Sequence, residues 1–448
     1  VFRPCWRSKY RPCVASVNKA TCTPQASTQS IIKHASMSIF QYFSILMVFT
    51  AAFSYVNHRY LKLPSTIGVM LISLLVSLML IAAGQVFTDT FIVLCEAVEA
   101  MDFTEVLLDV LLGFLIFAGA YESDTRMLFK ERRMILLMAT FSTVFSTFMV
   151  GYLIFWACSW IGAPIPLVHA LLFGALISPT DPIAVLAILK KAQVPKSIET
   201  DIAGESLFND GVAVVIFLTL LNIAQSGSES IEVSQVATLF FKEVFGGGLL
   251  GLAIGWMGTK LIQSVKDAKI SIIITLAVVM GGYTAAEMMH VSGILALVAA
   301  GLLMSYRRAR HDFREETEKQ ISIFWSILDD ILNALLFLFI GIEMLDISHD
   351  FQIEYLWMGL MGVLVVLLSR AVSVLPPLLL SSQNKKHPRQ VYAILVWGGL
   401  RGGISVALAL SLGEEINGEL LVSITYVIVL FSIIVQGLTV GPLVKKIF

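Results

Sequence analysis

The stretch Gly204-Glu205-Ser206-Leu207-Phe208-Asn209-Asp210 brings two carboxylates, a hydroxyl and an amide into two helical turns. On a helix Glu205 and Asn209 stand four residues apart and share a face; Ser206 and Asp210 form the next such pair beside them. The result is a polar stripe about 100° wide on a segment that continues as an apolar run from Val212 to Leu221. Carboxylate, hydroxyl and amide oxygens are hard ligands that suit small hard cations and not soft metals. No Cys or His lies nearby to build a transition-metal site. Two more groups carry chemistry: Ser178-Pro179-Thr180-Asp181-Pro182, and Trp397-Gly398-Gly399-Leu400-Arg401-Gly402-Gly403. Arg370 lies well inside the apolar run from Met358 to Leu380.

The elements that must position these groups are apolar throughout. Of 448 residues, 57% are hydrophobic and only 14% are charged, with a mean hydropathy of +0.83 and a net charge of -1. A chain this apolar cannot cover itself with polar surface in water. That excludes a soluble globular enzyme, a disordered protein and a nucleic-acid binder with a basic face. Thirteen apolar segments lie near 38–56, 66–83, 104–120, 134–160, 165–189, 202–224, 236–263, 270–288, 291–305, 323–342, 354–380, 391–412 and 419–444. A bilayer-spanning helix needs about 20 such residues. The expectation is an all-α polytopic membrane protein with about thirteen transmembrane helices in one integrated bundle over 37–448.

Residues 1–36 are polar and basic and hold Cys5, Cys13 and Cys22, with no signal-peptide core before Met37. They read as a disordered or non-native extension, with translation expected to start at Met37. Cys95 and Cys158 are too few for a disulfide framework or a metal cluster. The short stretch after Val444 leaves no room for a cytoplasmic regulatory domain, so regulation by one is not expected.

Basic residues concentrate in alternate connections: Arg59 and Lys62; Arg126, Lys130, Arg132 and Arg133; Lys190, Lys191 and Lys196; Lys260, Lys266 and Lys269; Arg307 to Lys319; Lys385, Lys386 and Arg389; then Lys445 and Lys446. The connections between them are acidic or uncharged, as with Asp89, Glu96, Glu99 and Asp102. By the positive-inside rule the N-terminus is outside and the C-terminus cytoplasmic, in a plasma (inner) membrane.

A charge at bilayer depth costs at least about 2.5–3.5 kcal/mol, so it needs a partner or a water-lined path. Asp329 and Asp330 in the tenth segment join the groups above in this respect, whereas Asp201, Glu287 and Glu343 read as edge residues. Pro179 and Pro182 remove backbone donors within one turn, so a regular helix cannot continue there. An unwound crossover facing a cavity follows, with freed carbonyls and the Thr180 and Asp181 side chains lining it. The glycines around Arg401 mark a second break. The two breaks stand at similar distances from the starts of the second and ninth segments. Five spans with a break in the fourth, then the same again with a spacing of seven, make an inverted repeat.

SPTDP, GESLFNDG and WGGLRGG, in this order and spacing, resemble the NhaP-type and NHE-type sodium–proton antiporters of the monovalent cation–proton antiporter superfamily, over nearly all of 37–448. The resemblance implies thirteen helices, two broken crossing helices, dimerisation and core parts that move like an elevator, and a homodimer. It implies that Asp210 is the ion-carrying carboxylate, with Asn209 its partner, Ser206 and Thr180 supplying further oxygens and Asp181 nearby. The cation would then meet Asp210, Ser206 and Thr180. It implies an ion pair between Glu205 and Arg370. In many relatives a third-segment motif has an acid before its glycine pair; here the stretch is Phe117-Ala118-Gly119-Ala120, without the acid.

Asp210 can be neutralised by a proton or by Na⁺ (or Li⁺), but not by both at once. Competition for one carboxylate is sufficient to couple the two ions. If Glu205 and Arg370 cancel, one mobile negative site is left, and exchange is expected to be electroneutral, one for one. The expected partners are monovalent cations, protons and the bilayer, with no cofactor beyond the transported ions and no nucleic acid. A K⁺/H⁺ exchanger on the same scaffold is the alternative; an uncoupled channel or ion sensor and a membrane-embedded aspartyl hydrolase are further from the residues.

Overall fold

The structure is a computed structural model that describes residues 39–84, 111–226, 233–310, 312–350, 353–380 and 388–447. The chain forms two compact units, 1–45 and 46–448; of the first, 39–45 are described, as the opening turns of a helix. The expected extension 1–36 and the acidic connection around Asp89 to Asp102 lie outside the described residues.

The described residues are helical almost throughout. In chain order the helices are α1 (Ile39–Val56), α2 (Ser65–Gly84), α3 (Leu112–Glu122), α4 (Thr125–Leu136), α5 (Thr143–Ile161), α6 (Leu167–Ile177), α7 (Ile183–Lys191), α8 (Lys196–Ser226), α9 (Val233–Ser264), α10 (Ala268–Met288), α11 (Gly293–Ala309), α12 (Glu315–Asp350), α13 (Ile353–Leu380), α14 (Pro388–Trp397), α15 (Gly403–Leu410), α16 (Gly418–Phe431) and α17 (Gly437–Ile447). A π-helical turn joins α4 to α5 (Leu137–Ser142) and another joins α16 to α17 (Ser432–Gln436). Among the described residues eight helical stretches are long and apolar enough to cross a bilayer, and α3 and α6 are shorter apolar helices.

Within the large unit the helices pack as two groups. In one, α9 runs along α11, α12 along α2, and α3 against α11. Close approach depends on residues without a side chain: a Cβ at Gly251 would strike the Ala296 backbone. In the other group α5 packs on α6, α8 on α4 and α6, and α13 on α5 and α16. A Cβ at Gly174 would strike the Thr147 carbonyl in the same way.

α13 carries Pro376 and Pro377 in its interior. Pro377 has no N–H to give the Ser373 carbonyl four residues back. The Ser142 hydroxyl, at the end of the π-helical turn, donates to that carbonyl at 2.8 Å instead. Ser146 Oγ reaches Ser373 Oγ at 3.1 Å. The orphaned acceptor is therefore satisfied from the neighbouring helix, as it must be where no water is available.

One expectation is corrected here. Asp201 is not an edge residue: α8 opens at Lys196, six residues before the apolar run, and Asp201 is fully buried. The polar first turns of a helix are invisible to hydropathy, so the helix begins before its apolar run does.

Candidate functional site

The site is built where two interrupted helices meet. The fifth apolar segment is split into α6 and α7, as the prolines require. Pro182 cannot donate to the Ser178 carbonyl, and the Ile183 N–H turns to Asp181 Oδ1 at 2.9 Å, away from the Pro179 carbonyl. Both carbonyls are claimed by Arg401: its Nη1 donates to Pro179 O at 2.9 Å and also to Ser178 O. The twelfth segment is split into α14 and α15 across 398–402. There the Leu395 carbonyl accepts from Arg370 Nε at 3.1 Å, and the Trp397 carbonyl from Gln436 Nε2 at 3.0 Å.

The two breaks are joined directly. Asp181 N–H donates to the Leu400 carbonyl at 2.8 Å in an isolated antiparallel bridge. The Arg401 N–H donates to Ser432 Oγ at 2.8 Å, so the π-helical turn of the last span holds the second break in place. Gly402, the N-cap of α15, is required: a Cβ there would occupy the Asp181 carboxylate. Asp181 thus stands at the N-terminal ends of both α7 and α15. Arg401 and Arg370 stand at the C-terminal ends of α6 and α14. Each charge has the sign that its helix ends favour.

α8 supplies the remaining groups. Glu205 and Arg370 are almost fully buried, and Arg370 holds the carboxylate with both terminal nitrogens, Nη2 to Oε2 at 2.8 Å and Nη1 to Oε1. This is the two-pronged geometry that makes a buried ion pair tolerable. One turn on, hydroxyls and amide form a chain. Asn209 Nδ2 donates to Thr180 Oγ1 at 3.0 Å, Thr180 Oγ1 lies 3.2 Å from Ser206 Oγ, and Ser206 Oγ donates to the Thr180 carbonyl. Since the Ser206 proton is used on that carbonyl, Thr180 is the donor between the two hydroxyls. All three residues are buried. The Asn209 Oδ1 acceptor is buried and receives no hydrogen bond.

Asp210 differs from these neighbours. It is half-buried, and among the described residues no hydrogen bond or ion pair engages its carboxylate. The like charges of Asp181 and Glu205 act on it. The arrangement therefore offers an open carboxylate next to an unsatisfied amide oxygen and two hydroxyl oxygens with spare lone pairs. Among the described residues no group of three or more His, Cys, Asp or Glu stands ready for a resident metal. The chemistry of the set is that of a single hard monovalent cation or a proton.

The residues of the three motifs and Arg370 meet at this crossing: Thr180, Ser206 and Asn209 in one contact chain, Asp210 beside it, Asp181 and Arg401 in the breaks with Pro179 and Pro182, and Glu205 with Arg370 as a pair. Asp329 lies on α12, half-buried and within electrostatic range of Asp181, while Asp330 is exposed. Sequence reasoning missed the Arg401 side chain as the group that satisfies the carbonyls of the first break, and Ser432 and Gln436 as the clamp on the second. The first was detectable, because two prolines in one turn predict orphaned carbonyls and a buried guanidinium is the natural donor for them. Where the missing third-segment acid would fall stands Ala118, which is buried.

Comparison with known proteins shows the family and the fold. A family model for the transmembrane sodium/hydrogen exchanger matches residues 45–446. The chain is 41% identical over 404 residues to the Na(+)/H(+) antiporter NhaP of Pseudomonas aeruginosa, covering 89% of this chain and 95% of that protein. It is 32% identical over 395 residues to the Na(+)/H(+) antiporter NhaH of Halobacillus dabanensis, covering 87% and 93%. Among solved structures, the sodium proton antiporter MjNhaP1 of Methanocaldococcus jannaschii superposes with a TM-score of 0.71 at 18% identity, over 91% of this chain and 98% of that one. That likeness establishes the fold, with its inverted repeats and two broken crossing helices. On the sequence matches and on the fold together, the chain belongs to the family of transmembrane sodium/hydrogen exchangers.

Proposed function

We propose that this protein exchanges Na⁺ (or Li⁺) for H⁺ across the membrane, one for one and without net charge movement, by alternating access of a single carboxylate, Asp210. The observation that carries the reading is the contrast at the crossing. Glu205 is held by Arg370, Asp181 and Arg401 are committed to helix ends, and Asp210 has neither a hydrogen bond nor an ion pair among the described residues.

Charge bookkeeping supports the stoichiometry. With all groups ionised, three carboxylates (Asp181, Glu205, Asp210) face two guanidiniums (Arg370, Arg401), which leaves one negative charge. Arg401 and Asp181 enter this sum together, so the earlier conclusion from Glu205 and Arg370 alone is unchanged. One bound Na⁺ or one proton brings the crossing to neutrality, and only a neutral crossing moves through the low-dielectric bilayer cheaply. Asn209 Oδ1, Ser206 and Thr180 complete the oxygen shell of the cation; when the proton is carried instead, the two hydroxyls keep their hydrogen bonds and Asn209 Oδ1 has none.

The same reading has the protein working as a homodimer in the plasma (inner) membrane, N-terminus outside and C-terminus cytoplasmic, in cation and pH homeostasis. It needs no cofactor. The names of its relatives and the hard-oxygen composition of the site favour Na⁺ and Li⁺ as cargo.

The experiment is pH-dye quenching in everted vesicles. Addition of Na⁺ or Li⁺ dissipates an imposed proton gradient, and Asp210→Asn abolishes the response. Dissipation by K⁺ alone would replace the Na⁺ reading with K⁺/H⁺ exchange; retained activity in Asp210→Asn would remove Asp210 from the carrier role.

A further inference from the structure

We infer that the groove between α14 and α17 seats an acyl chain of an anionic phospholipid, whose phosphate meets the Lys446 ammonium. The two helices run antiparallel and are tied at both ends. Gln390 Nε2 donates to the Ile447 carbonyl at 3.1 Å, and the Trp397 indole N–H donates to Thr439 Oγ1 at 2.9 Å. Between the ties lies a groove of about 620 Å³ walled by Tyr392, Ala393, Val396, Pro442 and Leu443, with Lys446 at one end. That volume is in the range of sites that hold one small ligand.

The walls present carbon. The Tyr392 hydroxyl is committed to the Ala371 carbonyl at 2.9 Å and the Trp397 indole to Thr439, so neither polar tip is left for a polar guest. Val435 and Leu438 on the neighbouring turns are 39% and 40% exposed, as expected for a face that meets lipid. Lys446 is the charged residue of the lining, and among the described residues no carboxylate pairs with it. Lys445 and Arg389 are exposed at the same end. A basic residue at a helix end, with apolar wall running away from it into the membrane, matches the two parts of an anionic lipid. A second copy of the chain fits less well, because a two-fold contact on this face would bring the basic ends together. The groove floor is α14, whose last residue, Trp397, borders the second break, so the lipid would brace one half of the crossing.

The test uses the full chain, purified in detergent and stripped of lipid, then titrated with phosphatidylglycerol or with phosphatidylcholine of identical chains. Melting temperature and retained lipid are read by fluorescence and native mass spectrometry. Phosphatidylglycerol is expected to bind and stabilise more strongly than phosphatidylcholine. Lys446→Glu is expected to weaken the phosphatidylglycerol effect at least about fivefold, the factor one basic residue supplies beside an anionic lipid, and to leave phosphatidylcholine unchanged. Ala393→Phe, which fills the groove, is expected to do the same; if it does not fold, Val396→Phe replaces it. Equal effects of the two lipids, or an unaltered phosphatidylglycerol response in Lys446→Glu, would overturn the proposal. A change of oligomeric state in Lys446→Glu by light scattering, with lipid retention unchanged, would overturn it too and make the groove a contact between copies.

Discussion

At the residue scale, the site separates groups that hold the structure from the group proposed to carry the ion. Glu205 belongs to the first kind. Glu205→Gln leaves the Arg370 guanidinium buried with no counter-charge, facing one amide oxygen and the Leu395 carbonyl, and removal of one member of a buried pair costs about 3–5 kcal/mol. A large fall in melting temperature in detergent is therefore expected; unchanged melting would mean that Arg370 has another way to be satisfied. Thr180 and Ser206 belong to the second kind in part. Ser206→Ala removes the donor to the Thr180 carbonyl and one hydroxyl oxygen from the cation side, so a rise in the apparent KM for Na⁺ is expected with H⁺ binding little altered. A KM unchanged for Na⁺ would take Ser206 out of the cation shell. The identities of these residues were readable in GESLFNDG and SPTDP, because i, i+4 spacing and hard oxygens are local properties. The buried, unsatisfied Asn209 Oδ1 was not readable, since it depends on what the other chain segments place around it.

At the element scale, the two breaks are where sequence spoke most directly. Two prolines in one turn and four glycines around an arginine cannot continue a helix, whatever surrounds them. What closes the breaks is long-range and was hidden: Arg401 reaches back to Ser178 and Pro179, and Ser432 and Gln436 reach in from the last span. Arg401→Gln strands two carbonyls at membrane depth, each costing about 1–3 kcal/mol when left without a donor. It also leaves the crossing with one more negative charge, so lowered stability together with lost exchange is expected. Near-normal melting in that variant would show that the carbonyls are served otherwise. The proline pair in α13 allows a sharper test. Ser142→Ala strands the Ser373 carbonyl and is expected to destabilise by about 1–3 kcal/mol. Pro377→Ala restores a backbone donor to the same carbonyl, so in the double variant the Ser142 substitution should cost markedly less. Additive losses of melting temperature would mean that the hydroxyl and the missing N–H are unconnected.

At the scale of the whole molecule, composition and hydropathy gave the class, and the spacing of two breaks gave the repeat; the grouping of helices around them came from small-residue contacts such as Gly251 on Ala296, which no period in the sequence announces. The charge balance of the crossing is also a property of the whole, because its five members come from four separated stretches of chain. With one net negative charge to be neutralised by Na⁺ or by H⁺, turnover in proteoliposomes should not change when the membrane potential is clamped at different values; a rate or reversal point that follows voltage as one moved charge would reject electroneutral exchange. The central claim is that both ions use the same carboxylate in turn, and proton release on cation binding tests it without transport. Titration calorimetry of the purified protein with Na⁺ in buffers of different ionisation enthalpy, at a pH where the site is protonated, should give about one proton released per Na⁺ bound, and none in Asp210→Asn. Sodium binding with no proton release in the unaltered protein, or the same release in Asp210→Asn, would contradict it.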